Sequence, residues 1–289
     1  MTLSILIPTY DYVCYTLVHD LQKQCEALYQ ADEYEIIVME DGGRDQVKAI
    51  ANHKINELTN CRYIRNKNNI GRSAIRNHLA DIAKGEWLLF MDSDGKVISD
   101  EFIKNYIETA KEGTNIIYGG LTHTDECPSP ICTLRWRYER NYEASQKKSN
   151  KPFRTFCFMI KKHVFQQVRF NESYNGYGFE DMQFGIDLQK KGYNITYIDN
   201  PLLNNDLESN SNFLKKTEEA LHTLYNHQEE LETSNLLTFI HLHPIIAHIA
   251  HVVYKMSHYF LMRNLLSTTP NITLFNFYKL GYFLSIRHE

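Results

Sequence analysis

Asp92 and Asp94 flank Ser93 directly after the apolar run Trp87-Leu88-Leu89-Phe90-Met91. A short apolar run bounded by polar residues reads as a buried strand. If the chain stays extended past Met91, residues two apart point to one side, and both carboxylates face one ligand. Carboxylates with no Cys or His beside them are hard oxygen ligands, suited to Mg²⁺ or Mn²⁺ carried in with a phosphate. Such a pair arises by chance roughly once in a chain this long. Its place after a buried strand is what gives it weight.

A second acidic site is Glu180-Asp181, after the turn Asn175-Gly176-Tyr177-Gly178-Phe179. Acids in a helix's first turn also serve simply to complement the dipole. Here two glycines and two aromatics precede them, which suggests a shaped pocket in which one acid acts as a general base. Arg72 and Arg76 lie one turn apart on a helix and share a face, able to meet a diphosphate or a base, or only solvent. Asp41, followed by two glycines, could accept from a uracil N–H or form an ordinary turn. Tyr10-Asp11, just past Pro8, could line the same pocket or cap the next helix.

These residues need a scaffold. Leu3–Ile7 reads as a first strand stopped by Pro8, followed by a helix from about 12 to 29. Glu35–Met39 is a second strand and Tyr63-Ile64 a short third. A helix over 71–83 carries Ile75, Leu79, Ile82 and Ala83 on one face. The Trp87–Met91 strand is fourth, and Ile116–Tyr118 follows a helical stripe from Phe102 to Ala110. Strands alternating with helices predict a mostly parallel sheet covered on both faces, which binds ligands at the carboxyl ends of its strands. Pro8-Thr9, Asp41 and Asp92 all fall at such ends. The pattern breaks from 119 to 151, where Arg135, Trp136, Arg137, Tyr138 and Arg140 could grip a sugar and a phosphate, or form a surface helix. A strand is expected over 153–160, a helix after Glu180, and a last strand over 193–198.

The 289 residues, 43% hydrophobic, allow a full-sized core. A net charge of −4 argues against a nucleic-acid binder. The six Cys read as free thiols of a reducing cytoplasm, and no leader segment or membrane-length apolar run is evident. After Asn200-Pro201 the chain turns helical: an amphipathic helix over 213–232, a second opening on Pro244, and a third over about 272–286. The second carries an apolar stripe, Ile245, Ile246, Ile249, Val252, Val253, Met256 and Phe260, beside His248, His251, Lys255 and His258. Two readings stay open. The stripes pack on the rest of the chain or on a second copy in a homodimer, or the segment 244–286 lies on an anionic membrane surface, more firmly in mild acid.

In order, Ser4 to Tyr10, Glu40-Asp41-Gly42, Asn69-Ile70-Gly71-Arg72 through Arg76-Asn77, Asp92-Ser93-Asp94, and Tyr177-Gly178-Phe179-Glu180-Asp181 resemble the family 2 inverting glycosyltransferases of GT-A fold. The stretches 134–138 and 200–218 resemble a bacterial subgroup that builds surface polysaccharides. The resemblance implies an α/β GT-A fold, Rossmann-like, with a mostly parallel sheet flanked by helices and a C-terminal helical extension. Residues 1–212 would form the catalytic domain, with 1–118 the donor half and 119–212 the acceptor half, and 213–289 the extension. It implies transfer from a nucleotide-diphosphate sugar, a UDP-sugar, to a hydroxyl of a glycan or lipid-linked acceptor. The free thiols point to the cytoplasm, and the membrane reading of 244–286 would set the chain at the inner face of the cell membrane. Pro8, Thr9, Tyr10, Asp41, Arg72, Arg76, Asp92 and Ser93 would serve the donor, with Thr9, Asp41 and Arg72 at the base and Asp92 at the ribose. Asp94, with Asp92, would hold Mn²⁺ or Mg²⁺. Asp181 would be the catalytic base and Glu180 would orient the acceptor. Three departures stand out: Glu40 where relatives often have Asp, Gly95 where an acid often follows the metal pair, and Asn204 where many place a metal-binding His, with Asp206 nearby as a substitute. Rival readings are a sugar nucleotidyltransferase, which would need a glycine-rich basic loop after the first strand, an inactive donor-binding subunit of a polysaccharide-assembly complex, and a phosphatase built on an Asp-x-Asp nucleophile.

Overall fold

The computed structural model describes residues 1–30, 32–143, 153–205 and 208–287. Asp206 and the end of the 119–151 insertion lie outside the described residues. The strands are β1 (Leu3–Thr9), β2 (Tyr34–Glu40), β3 (Cys61–Arg65), β4 (Trp87–Met91), β5 (Gly95–Lys96), β6 (Ile116–Tyr118), β7 (Leu121–Thr122), β8 (Cys157–Lys161), β9 (Thr196–Tyr197) and β10 (Leu202–Asn204). The helices are α1 (Tyr15–Leu28), α2 (Gln46–His53), α3 (Arg72–Ile82), α4 (Phe102–Ala110), α5 (Thr133–Tyr138), α6 (Lys162–Val168), α7 (Glu180–Lys190), α8 (Asn210–Asn226), α9 (Asn235–Leu242), α10 (Pro244–Leu265) and α11 (Ile272–Ile286).

The described residues of Met1–Thr122, Lys148–Asn175 and Glu180–Asp206 form one compact unit. Its main sheet has the order β3-β2-β1-β4-β8-β6-β9. The neighbours β1, β2, β3 and β4 are parallel, as are β6 and β9, whereas β8 runs antiparallel to both β4 and β6. The reversal has a topological cause. The chain leaves β6 at the carboxyl edge of the sheet and re-enters at that same edge, so β8 must run backwards. The residues just before β8 therefore sit at the carboxyl edge, where Asp92 N donates to Phe156 O at 2.9 Å.

Residues of β1 alternate between two cores. Leu3, Ile5 and Ile7 join the side covered by α1 and α4, with Val18, Leu21, Phe102 and Tyr106. Leu6 faces the other side, where α3, α6 and α7 contribute Leu79, Phe165 and Phe184. That second core is rich in aromatics: Phe170 stacks on Phe184 at 4.2 Å and Phe90 on Phe158 at 5.0 Å.

Pro8 does not stop β1. The strand continues to Thr9, with Pro8 opposite Met39, while pairing with β4 has ended at Leu6–Phe90. With one neighbour only, the strand tolerates a residue that lacks an N–H. The strand expected over 193–198 shrinks to Thr196–Tyr197. A small sheet, β5-β10-β7, has no counterpart in the sequence reading. Its strands are two or three residues long, too short for a periodic signal.

The described residues of His123–Lys147, Gly176–Phe179 and Leu207–Glu289 form a second unit. Its core joins Leu134, Phe213, Leu214, Tyr254, Leu261, Leu265, Phe275 and Tyr278. The aromatic–arginine stretch is engaged within this unit. Arg135 Nε donates to Glu139 Oε1 at 2.6 Å, Arg140 lies over Trp136, and Arg137 donates to Pro270 O. α10 packs through Ala247, Ala250, His251, Tyr254, Leu261 and Leu265, and the bulky stripe from Ile245 to Phe260 is exposed. The small and aromatic residues are inside because α11 comes close: a Cβ on Gly281 would collide with the Tyr254 ring. Among the described residues no single helix is long and apolar enough to cross a membrane, although α9 and α10 pass together as a pair bent by 109°.

Candidate active site

The carboxyl ends of β1, β2 and β4 bring the predicted residues to one edge of the sheet. At the end of β2, Asp41 N donates to Thr9 O at 2.8 Å, tying the β1 and β2 ends together. The Asp41 carboxylate accepts from Ile70 N at 2.8 Å and Gly71 N at 3.0 Å. It thus fixes the loop that opens α3, whose first residue is Arg72. Each carboxylate oxygen keeps a further lone pair. Gly42, at φ +71°, allows this turn: a Cβ there would collide with the backbone of Asn68 and Asn69. Thr9 is buried and its hydroxyl donates to Tyr12 O at 3.2 Å, while Tyr10 is half exposed.

Glu40, which the sequence marks only as a departure from relatives, is a buried brace. Its Oε1 accepts from Asp11 N at 2.9 Å and its Oε2 from the Tyr63 hydroxyl at 3.3 Å. Burial raises its pKa above the ordinary carboxylate range, against the pull of those two donors. Asp11 sits at φ +48° and its Oδ1 accepts from Asp45 N at 2.8 Å, so the β1 loop is held in a conformation that favours glycine.

The β4 end departs from the extended geometry expected of it. The strand stops at Met91, and Asp92–Gly95 is a turn closed by Gly95 N to Asp92 O at 3.1 Å. Asp92 and Asp94 are placed by that turn and not by strand alternation. Both Asp92 oxygens meet arginines: Oδ2 meets Arg72 Nη2 at 3.0 Å and Oδ1 meets Arg76 Nη2 at 2.7 Å. Arg72 Nε reaches Glu180 Oε1 at 2.7 Å, and Arg76 Nη1 lies 3.7 Å from the same oxygen. Two arginines one turn apart on α3 thus clamp two carboxylates from β4 and α7. Arg76 is 1% exposed and its guanidinium lies over Phe170 at 5.5 Å, so it is a brace beneath the site and not a surface contact. Arg72 is more open, with 42% of its side chain exposed.

Glu180 and Asp181 occupy the first turn of α7. Phe179, just before them, has φ +68°, an uncommon conformation for a bulky residue. Glu180 is buried in the arginine clamp. Asp181 is half-buried and has other partners: its Oδ1 accepts from Met182 N at 2.7 Å and its Oδ2 from Arg154 Nη1 at 3.1 Å. Arg154 is the residue the sequence reading missed. It stands just ahead of β8, and only the reversal of that strand carries it to the carboxyl edge; no spacing along the chain pairs it with Asp181.

The small sheet supplies the remaining neighbour. Asn204 pairs in register with Gly95, and Asn205 N donates to Asp94 O at 3.0 Å. Asn204 therefore stands beside the Asp92–Gly95 turn, where the family pattern calls for a metal-binding His. Its side-chain oxygen and the Asp94 carboxylate are both hard donors. That set fits a Mg²⁺ or Mn²⁺ ion that completes its coordination with phosphates and water. Each Asp92 oxygen already meets one arginine and keeps a further lone pair that a metal or a donor hydroxyl could use.

Residues 4–169 match the sequence profile of glycosyl transferase family 2. The chain belongs to that family. Over 127 residues, 42% of the chain, it is 32% identical to a poly(ribitol-phosphate) beta-glucosyltransferase from Bacillus spizizenii, of which the match covers 19%. Over 179 residues, 60% of the chain, it is 25% identical to a GalNAc(5)-diNAcBac-PP-undecaprenol beta-1,3-glucosyltransferase from Campylobacter jejuni, covering 56% of that protein. The chain thus spans well under two thirds of the length of these relatives. Among solved structures, S. aureus TarS 1–349 in complex with UDP aligns with a TM-score of 0.54 at 17% identity, over 100% of this chain and 92% of that one. The mannosyltransferase PcManGT from Pyrobaculum calidifontis, in complex with GDP-Man and Mn²⁺, aligns with a TM-score of 0.54 at 12% identity, over 78% and 64%. These likenesses are of fold, and the fold is GT-A with C-terminal helices.

Proposed function

We propose that this chain moves a sugar from a nucleotide-diphosphate donor, a UDP-sugar, to a hydroxyl of a glycan or lipid-linked acceptor, with inversion at the anomeric carbon. One observation carries the reading. Glu180 and Asp181 are adjacent in sequence but held by different partners, the first by the Arg72–Arg76 clamp and the second by Met182 N and Arg154. One acid is locked into the scaffold of the donor edge, and its neighbour is half-buried and aimed separately. That division suits a positioning residue and a general base. The names of the two relatives, whose acceptors are a ribitol-phosphate polymer and an undecaprenol-linked glycan, support the acceptor class.

In this mechanism Asp181 takes the proton of the acceptor hydroxyl. The freed oxygen attacks the anomeric carbon from the face opposite the diphosphate, and its bond to carbon forms as the bond to the leaving phosphate oxygen breaks. Glu180 orients the acceptor, and Thr9, Tyr10, Asp41 and Arg72 frame the nucleotide. Arg76 keeps Asp92 and Glu180 in place. A divalent ion held at Asp94 and Asn204 would supply charge neutralisation for the departing diphosphate.

The test is Asp181→Asn, assayed for UDP binding by melting shift with and without Mn²⁺ and for sugar transfer to a lipid-linked acceptor. A ligand at 100 times its Kd stabilises by about 2.7 kcal/mol, which a melting scan resolves. The expected result is an unchanged UDP shift with transfer lowered about 10²–10⁴-fold. Normal transfer in the variant would refute the base assignment. Wild-type protein that binds UDP but transfers to no acceptor would favour a donor-binding subunit.

A further inference from the structure

The outward face of α10 has no task in the chemistry above. Ile245, Ile249, Met256 and Phe260 are 76%, 57%, 80% and 69% exposed, and Val252, Val253 and Tyr259 are exposed beside them. Leu242 and Phe239 continue the apolar surface onto α9. Aliphatic residues of this size normally face a core, yet the core-facing positions of α10 are Ala247, Ala250, His251, Tyr254, Leu261 and Leu265. Helical periodicity puts those two sets on opposite sides, so α11 covers one side and leaves the stripe bare. The stripe runs about 22 Å along the helix.

The charges around the stripe identify what it fits. Between Glu232 and Glu289 the sequence has no Asp or Glu, in a chain whose net charge is −4. The same segment holds Lys255, Arg263, Lys279 and Arg287, with His241, His243, His248, His251, His258 and His288. Lys255 and His248 border the stripe and are exposed, as is Arg263 at its end. A second copy docking here about a twofold axis would set this cationic border against itself, with no acid within the segment to answer it. An anionic lipid surface answers both features, since it takes the apolar face into its acyl boundary and the cations at its headgroups. Because the far side of α10 is packed, the helix would lie along the surface and not cross it.

We propose that α10, with the end of α9, is a docking surface for an anionic lipid bilayer. It goes beyond the transfer reaction and does not depend on it. It gives the chain a place beside an acceptor carried on a lipid.

The experiment is flotation of the full chain with vesicles of phosphatidylcholine alone and with vesicles containing equal parts phosphatidylglycerol. The protein is expected to float with the anionic vesicles and at least tenfold less with the neutral ones, each surface cation contributing about fivefold. Raised salt should weaken the difference. The double substitution Ile249→Glu with Met256→Glu should lower the floated fraction at least tenfold. Both side chains are exposed, so the melting temperature and the UDP shift should stay as in the wild type, which separates lost docking from lost folding. Absence from the anionic vesicle fraction would overturn the proposal, as would flotation indifferent to the double substitution. A dimer in light scattering that the same substitutions dissociate, without flotation of the wild type, would overturn it in favour of a second copy.

Discussion

Replacing Arg76 by Met tests whether the clamp is built as described. In the native structure two guanidinium groups serve two carboxylates, Asp92 and Glu180, whose side chains are 19% and 5% exposed. Met keeps most of the length of the side chain but removes the charge and the guanidinium that lies over Phe170. Arg72 then stands alone between the two acids, and one of the two negative charges is no longer balanced. Breaking a buried ion pair in this way costs about 3–5 kcal/mol. Arg72 still touches both acids, so the low end, about 3 kcal/mol, is the working figure. For 289 residues each kcal/mol moves the melting temperature by about 1.5–2 °C, so the expected fall is roughly 5–6 °C. Arg72→Met should cost less, about 1 kcal/mol, because solvent screens an arginine this exposed. The decisive arm adds Glu180→Gln to Arg76→Met. Removing the unbalanced charge should restore about 1 kcal/mol or more, as a positive coupling in a double-mutant cycle by urea or thermal unfolding. An Arg76→Met protein that melts within about 2 °C of the wild type would refute the reasoning, as would a double variant no more stable than the single.

Two further outcomes follow from the β1–β2 edge. Gly42→Ala forces a Cβ into the Asn68–Asn69 backbone at positive φ, and should cost about 2–4 kcal/mol and weaken the UDP melting shift; an unchanged melting temperature would contradict it. Glu40 has a pKa raised by burial, so its contribution to stability is present below the unfolded pKa and lost as pH rises through the folded one. Glu40→Gln should therefore gain stability relative to the wild type as pH rises from about 4 to neutrality, read as a melting-temperature difference that grows with pH; a difference constant across that range would mean Glu40 is not under a burial penalty.

The sequence by itself determined the sheet and the edge that carries the site. Runs such as Leu3–Ile7, Glu35–Met39 and Trp87–Met91 have one stable use, as strands buried on both faces, and their order with the intervening helices leaves little freedom of topology. It also placed Glu180 and Asp181 in a helix's first turn and put Arg72 and Arg76 on one face, since those follow from local periodicity.

What only the tertiary structure decided is which groups meet across the fold. The reversal of β8 brings Arg154 to Asp181, the pairing of β10 with β5 brings Asn204 beside the Asp92–Gly95 turn, and the clamp joins residues 92 and 180 through α3. Such contacts join positions tens of residues apart, and no periodicity records them. The same limit applies to α10. Its bulky stripe reads from sequence as an inner or an outer face alike, and α11, whose Gly281 meets the Tyr254 ring, packs on the side of Ala247, Ala250, Tyr254, Leu261 and Leu265 and leaves that stripe outward.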